Sequence, residues 1–155
     1  MIVAVADTGP LIHLDEIDAL QLLSVVDELL IPQTVYEELK TGTVPSALST
    51  IEYELVEAEI TERTADLDPG ETAALAVASE RSAVLLTDDL AARDAAEDID
   101  VEVHGSIGII VLSYTRGKLA KSKAAELMRA LQTETSLFIT DAVVERGIAL
   151  LEKST

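Results

Sequence analysis

Two short runs, IVAVA at 2–6 and AVLLT at 83–87, each end directly in acidic residues and then pass into a helical pattern. Runs this short, with apolar and β-branched residues in succession, are expected of strands buried on both faces. A strand buried on both faces needs helices above and below it. The β-then-α alternation along the chain therefore predicts a three-layer α/β/α sandwich around a central, mainly parallel sheet. In such sheets the functional crevice lies outside the carboxyl ends of the strands. Asp7, Asp88 and Asp89 fall at that edge.

The remaining elements follow from local pattern. LIHLDEIDALQLLSVV reads as helix, ELLIP at 28–32 as a short strand, and Pro32 as a first-turn residue opening the helix QTVYEELK. SALSTIEYE reads as a further helix, 54–60 as a strand, and Thr61 to Asp68 as a polar loop. Asp68, Pro69 and Gly70 start the Ala-rich helix ETAALAVASE, a helix runs from the Asp88-Asp89 pair to about Glu97, and a short strand lies near Val101 to Val103. Helix follows from Ser106, and 121–132 and 141–152 form a helical C-terminal part from about residue 119. With 155 residues and no internal repeat, the expectation is a single domain spanning 1–155.

Composition narrows the chemistry. With 48% hydrophobic but only 3% aromatic residues, the core must be built from Ala, Val, Leu and Ile. No cysteine is present, which excludes a disulfide framework, thiolate catalysis and a Cys-based zinc site. No apolar stretch approaches the length of a membrane span, and MIVAVADTGP lacks the basic flank of a signal peptide, so a soluble cytoplasmic protein with no membrane partner is expected. The formal charge of -18 argues by itself against a phosphate-rich partner. Concentrated salt offers another reading: at 1 M the Debye length falls to about 3 Å, and halophilic chains carry excess carboxylate and little Lys. Both readings stand on sequence alone.

Four carboxylates stand where apolar elements deliver them. Asp7 ends the first buried run; it can cap the following helix, or meet a cation that offsets its desolvation. Val35 and Leu39 set the apolar face of their helix at about 100° per residue, so Glu38 borders that face while Glu37 points to solvent. Glu71 fits a capping box with Asp68, yet also heads the stripe Ala74, Leu75 and Ala78 that should face the sheet. Of Asp88 and Asp89, one caps the next helix while the other can enter the site. Asp94 reads as a solvated face residue, Asp141 as a first-turn charge, and His13 and His104 as structural. Arg116, Lys118, Lys121, Lys123 and Arg129 concentrate five of the 11 basic residues within 116–129, as a solvated face or as a contact for RNA or an acidic partner.

The succession DTGPLIHL, IPQTVYEEL, DPGETAALAVA, LLTDDLAARDAA and HGSIGII, from Met1 to about Lys118, resembles the PIN-domain nucleases. The likeness is to a largely uncharacterised prokaryotic branch related to the toxins of toxin-antitoxin pairs. The resemblance implies a catalytic, metal-binding set of Asp7, Glu38, Glu71 and Asp89, with Asp88 as an adjunct ligand. Many toxin-type members carry an Asp-Ala helix start at the third position; here Glu71 stands there, and Asp141-Ala142 comes too late in the chain. Clustered carboxylates repel unless a divalent cation sits among them, and Mg²⁺ or Mn²⁺ suits hard oxygen ligands. The resemblance further implies RNA as substrate, 5′-phosphate and 3′-hydroxyl products, and a small antitoxin as partner. Arg93, Arg116, Lys118, Lys121 and Lys123 are the candidates to meet the RNA backbone, and homo-oligomers through exposed apolar helix faces are expected. A non-catalytic PIN-like binding module is the competing reading. A phosphoacceptor receiver domain ranks lower, since no Lys occurs between Lys40 and Lys118 to complete its site.

Overall fold

The computed structural model describes residues 1–59 and 67–153. Its sheet has five strands, β1 (Val3–Ala6), β2 (Glu28–Pro32), β3 (Glu54–Val56), β4 (Val84–Leu86) and β5 (Val103–His104), in the order β3-β2-β1-β4-β5. Every pairing is parallel: Ala4 lies opposite Leu29 on one side and Val84 on the other. The chain builds outward from β1 through β2 to β3, then returns to place β4 and β5 on the other flank. The reversal lies between β1 and β4, where two strand ends diverge and leave a crevice.

Helices α1 (Thr8–Glu16), α2 (Gln33–Lys40), α3 (Pro69–Arg81), α4 (Leu90–Asp98), α5 (Ser106–Thr115), α6 (Lys121–Glu134) and α7 (Asp141–Lys153) surround the sheet. α3 packs across β1, β2 and β4, with α4 beside it against β5. On the opposite face α1 and α5 are backed by α6 and α7, and α2 touches both α1 and α3. Side chains from the strands, Leu11 and Leu14 of α1, Ile110 of α5, Met128 and Leu131 of α6 and Leu151 of α7 share one buried core. The helical C-terminal part is thus packed onto the sheet assembly. Gly147 makes this possible, because a Cβ there would lie 2.9 Å from Ile107 and 3.0 Å from Met128.

The α/β/α sandwich with a parallel sheet is as expected, and four local expectations are corrected. The helix expected over 11–26 stops at Glu16: Asp18 takes a left-handed conformation (φ 54°), and a 3-10 segment follows over Leu20–Val25. Leu20, Leu22, Leu23 and Val25 are all buried there, on sides that a single α-helical stripe cannot serve. The helix expected over SALSTIEYE is a 3-10 turn at Ser46–Thr50, after which Ile51 is extended and the chain joins the sheet at Glu54. β3 takes only 54–56 of the strand expected to reach 60, and β5 is Val103–His104 rather than Val101–Val103. Most of the expected polar loop, 61–66, and residue 60 lie outside the described residues.

Candidate functional site

Asp7 follows the last residue of β1, its backbone N–H donating to the Leu86 carbonyl of β4 at 2.9 Å. The side chain is 3% exposed. One oxygen caps α1 by accepting from Thr8 N at 2.8 Å, and the other accepts from Thr87 Oγ1 at 2.9 Å. Burial pushes the carboxyl up from the ordinary 3.8 to about 6 despite these two donors, and the negative charges of Asp68 and Glu38 add to the shift. Asp7 is therefore at once a helix cap and a strained anion facing other acids.

Those acids arrive on α2, α3 and α4. Glu38 borders the buried face of α2, as its helical phase requires, and Glu37 is exposed. Glu38 Oε1 accepts from Gly70 N at 2.8 Å, so α2 aims this carboxylate at the start of α3. Gly70 leaves room for that carboxylate: a Cβ there would lie 2.4 Å from Glu38 Oε2 and displace it. Glu71 completes the capping box, with its backbone N–H donating to Asp68 Oδ1 at 2.7 Å and its Oε1 accepting from Asp68 N at 3.0 Å. Desolvation raises the Glu71 carboxyl to about 7, and Asp68, Asp7 and Asp89 push it in the same direction. Glu38 is likewise raised, by desolvation and then by Asp68. Asp89 caps α4 by accepting from Ala92 N at 2.9 Å.

Asp88 and Asp89 part company. Asp88 accepts from Ser106 N and Ser106 Oγ, each at 2.6 Å, and from His13 Nδ1 at 2.7 Å. It thereby ties the end of β4 to α1 and to the start of α5, and both of its oxygens are engaged. Gly105 admits it, because a Cβ at that position would lie 2.7 Å from Asp88 Oδ1 and 2.9 Å from Arg93 Nη2. His13 thus has the structural place expected of it.

The basic candidates divide as well. Arg93 of α4 lies beside Gly105 at the acidic edge. Arg116 is near Asp27, whose carboxylate accepts from Ile2 N at the start of β1, so it sits at the opposite end of the sheet from Asp7. Lys118 follows in the turn after α5, donating its backbone N–H to Ser113. Lys121 pairs with Glu152 of α7 at 2.6 Å, and Lys123 with Glu126 at 3.5 Å. The 116–123 cluster is not gathered with the acids.

Two participants escaped the sequence reading. Asp68, assigned only to the cap of α3, bears electrostatically on Asp7, Glu38 and Glu71 together. The signal was available: a helix start that delivers Glu71 to the site also delivers its own N-cap. Thr87 is fully buried and bonds to both Asp7 and Asp89, a role hidden in the middle letter of a strand-end motif.

The donor chemistry suits a hard divalent cation. Glu38, Glu71 and Asp89 each commit one oxygen to a backbone N–H, leaving Glu38 Oε2, Glu71 Oε2 and Asp89 Oδ1 without a hydrogen bond among the described residues. No Lys, Arg or His ion-pairs with Asp7, Glu38, Asp68, Glu71 or Asp89 among the described residues. The mutual repulsion that raises Asp7 and Glu71 is what a cation among them would relieve. As placed, however, no three acidic or histidine side chains among the described residues stand close enough together to hold a metal ion.

A parallel α/β/α sandwich with acids at its strand-end crevice is the architecture of the PIN-like proteins. The sequence matches the DUF3368 family, a PIN domain, over residues 3–153, and the chain belongs to that family. The fold is similar to that of a PilT N-terminus domain protein from the hyperthermophilic archaeon Sulfolobus solfataricus P2. That likeness has a TM-score of 0.59 at 21% identity and covers 77% of this chain and 97% of the other. Among curated proteins no match was found. No helix among the described residues is long and apolar enough to cross a membrane.

Proposed function

We propose that this PIN domain is a metal-dependent ribonuclease, with Asp7, Glu38, Glu71 and Asp89 holding Mg²⁺ or Mn²⁺ and hydrolysing RNA to 5′-phosphate and 3′-hydroxyl ends. The observation that carries the reading is the convergence of four elements, β1, α2, α3 and α4, on one acidic edge, where Asp7, Glu38 and Glu71 are raised first by burial and further by neighbouring carboxylates. Asp7, Glu38, Glu71 and Asp89 would hold such an ion, which when bound would supply an acidified water and charge neutralisation for phosphodiester hydrolysis. The protein's part is positional. Thr8 N and Thr87 Oγ1 fix both oxygens of Asp7, Gly70 N holds Glu38, and Ala92 N holds Asp89, so these carboxylates are oriented before anything binds. Asp68 supports the same set from the cap of α3, and Asp88 supports it from beneath by fixing the start of α5. Asp88 is thereby reassigned from adjunct ligand to framework, because its two oxygens carry three donors from α1 and α5, whereas each oxygen of Asp7 carries one and keeps a lone pair.

In a chain of net charge -18, Arg93 is the predicted cation placed to receive a phosphate beside the acids. The toxin role that the sequence resemblance implies, with a small antitoxin protein as partner, belongs to this proposal, as does homo-oligomerisation through exposed apolar helix faces. A binding module without catalysis is the second reading, favoured by the capping box that occupies Glu71 and by the open arrangement of the acids. Incubating RNA with Mn²⁺ and either wild type or Asp7→Asn decides between them. Cleavage by wild type alone supports the nuclease, and equal activity of the two excludes it.

A further inference from the structure

A groove of about 570 Å³ leads away from the acidic edge. Asp88, Leu90 and Arg93 line it together with Phe138, Val143 and Arg146. Phe138 is the chain's only phenylalanine and is 91% exposed; Leu90, immediately after Asp89, is 76% exposed. Phe138 lies in the connection between α6 and α7, which is tied down where Ser136 donates from its N and Oγ to Glu16. Among the described residues neither Arg93 nor Arg146 ion-pairs with a carboxylate.

An exposed aromatic ring in a groove that also holds two guanidinium groups matches a particular kind of ligand. A base stacks on a ring whatever its identity, and guanidinium groups meet the phosphates on either side.

We infer that this groove seats a single-stranded segment of the RNA, one base stacked on Phe138 and its neighbouring phosphates on Arg93 and Arg146. The inference rests on the nuclease reading and deepens it by giving the strand a path from the acidic edge toward α7. Phe138 and Arg146 are then positioning residues that touch the substrate away from the scissile bond. Of the basic residues that the sequence offers for RNA, Arg93 lines this groove, whereas Arg116 lies at the far end of the sheet. The groove supplies two arginines at the near end.

The test is fluorescence anisotropy with a labelled single-stranded oligouridine of about twelve nucleotides, titrated with Asp7→Asn protein so that the probe stays intact. Adding Phe138→Ala should weaken binding about tenfold, and Phe138→Trp should restore it, since a stacked ring is the feature that matters. Arg93→Gln and Arg146→Gln should each lower the slope of log affinity against log salt by about 0.7. Unchanged affinity and slope in Phe138→Ala and Arg146→Gln overturn the inference, as does the absence of any binding. So does a Phe138→Ala change in sedimentation from dimer to monomer with RNA affinity intact, which would make the groove an interface between copies. Ring-dependent binding by a wild type that fails to cleave with Mn²⁺ would uphold the groove while refuting the nuclease.

Discussion

Thr87 Oγ1 donates to Asp7 Oδ2 at 2.9 Å while accepting from Asp89 N at 3.2 Å, so one buried hydroxyl joins the ends of β1 and β4 across the point where the sheet order reverses. The two acids expected at strand ends therefore share a bridge. Thr87→Val keeps the shape but leaves Asp7 Oδ2 without a donor and Asp89 N without an acceptor. The expected cost is about 1–3 kcal/mol in urea unfolding at neutral pH. The Asp7 carboxyl should titrate still higher by NMR, because the Thr87 bond holds it down. Thr87→Ser should retain most of the stability and the wild-type titration. A valine variant as stable as wild type with unshifted titration would show that the bridge is incidental.

Asp7 makes stability depend on pH in an unusual direction. Its folded pKa of about 6 lies above the ordinary 3.8, so between these values the folded state binds the proton more tightly than the unfolded chain. The Asp7 contribution therefore falls as pH rises from 4 to 6. Above pH 6 the ionised, buried group withholds about 3 kcal/mol, at about 1.4 kcal/mol per unit. Asp7→Asn removes this penalty but meets two donors with one carbonyl, losing about 1 kcal/mol. In EDTA the variant should be about 2 kcal/mol more stable than wild type at pH 8 and no more stable at pH 4. Mg²⁺ at pH 8 should narrow the gap by stabilising wild type alone. Urea unfolding at the two pH values, with and without Mg²⁺, measures all of this; a variant less stable than wild type in EDTA at pH 8 would contradict it.

Why these relationships were only partly legible follows from what sequence encodes. IVAVA and AVLLT have no polar face, so they could only be interior strands, and the acids after them could only be strand-end residues. Glu38 was separated from Glu37 by phase alone, since an α-helix has a fixed angular step. The fate of Asp88 against Asp89 was not encoded locally. It depends on Ser106, 18 residues onward, and on His13, 75 residues back, which only the closed sheet brings together. The 3-10 segment at Leu20–Val25 was missed because its exposed Gln21 and Ser24 stand three apart, as on the polar side of an α-helix, and the site of the 116–123 cluster because proximity in sequence says nothing of which sheet end a helix reaches.

The division of labour between Asp88 and Asp89 should appear as two different phenotypes. Asp88→Ala removes partners from Ser106 N, Ser106 Oγ and His13, and Ser106 is fully buried. A loss of about 3 kcal/mol is expected, with any remaining folded protein retaining RNA cleavage. Asp89→Asn keeps a side-chain acceptor for Ala92 N and should unfold within about 0.5 kcal/mol of wild type, while cleavage with Mn²⁺ falls by 100-fold or more. Thermal unfolding and a cleavage time course on both variants separate the roles; the reverse pattern would return Asp88 to the metal-binding set.

Gly70→Ala offers a test in which fold and chemistry should move in opposite directions. Alanine is the better helix former by up to about 1 kcal/mol, and position 70 lies in the first turn of α3. The new Cβ would meet only the far end of the Glu38 side chain, at 2.4 Å from Oε2 and 2.8 Å from Cδ. That flexible carboxylate can swing aside at little cost, giving up its bond to Gly70 N. Unfolding free energy should therefore be unchanged or slightly higher. Cleavage should drop about 100-fold, since a displacement of about 1 Å is enough to spoil a reacting geometry. A Glu38→Gln variant, displaced in charge rather than in place, should show a comparable loss, and combining the two should add little because both act through one side chain. Full activity in Gly70→Ala would mean that Glu38 is a boundary residue of α2 whose head group has no part in the site.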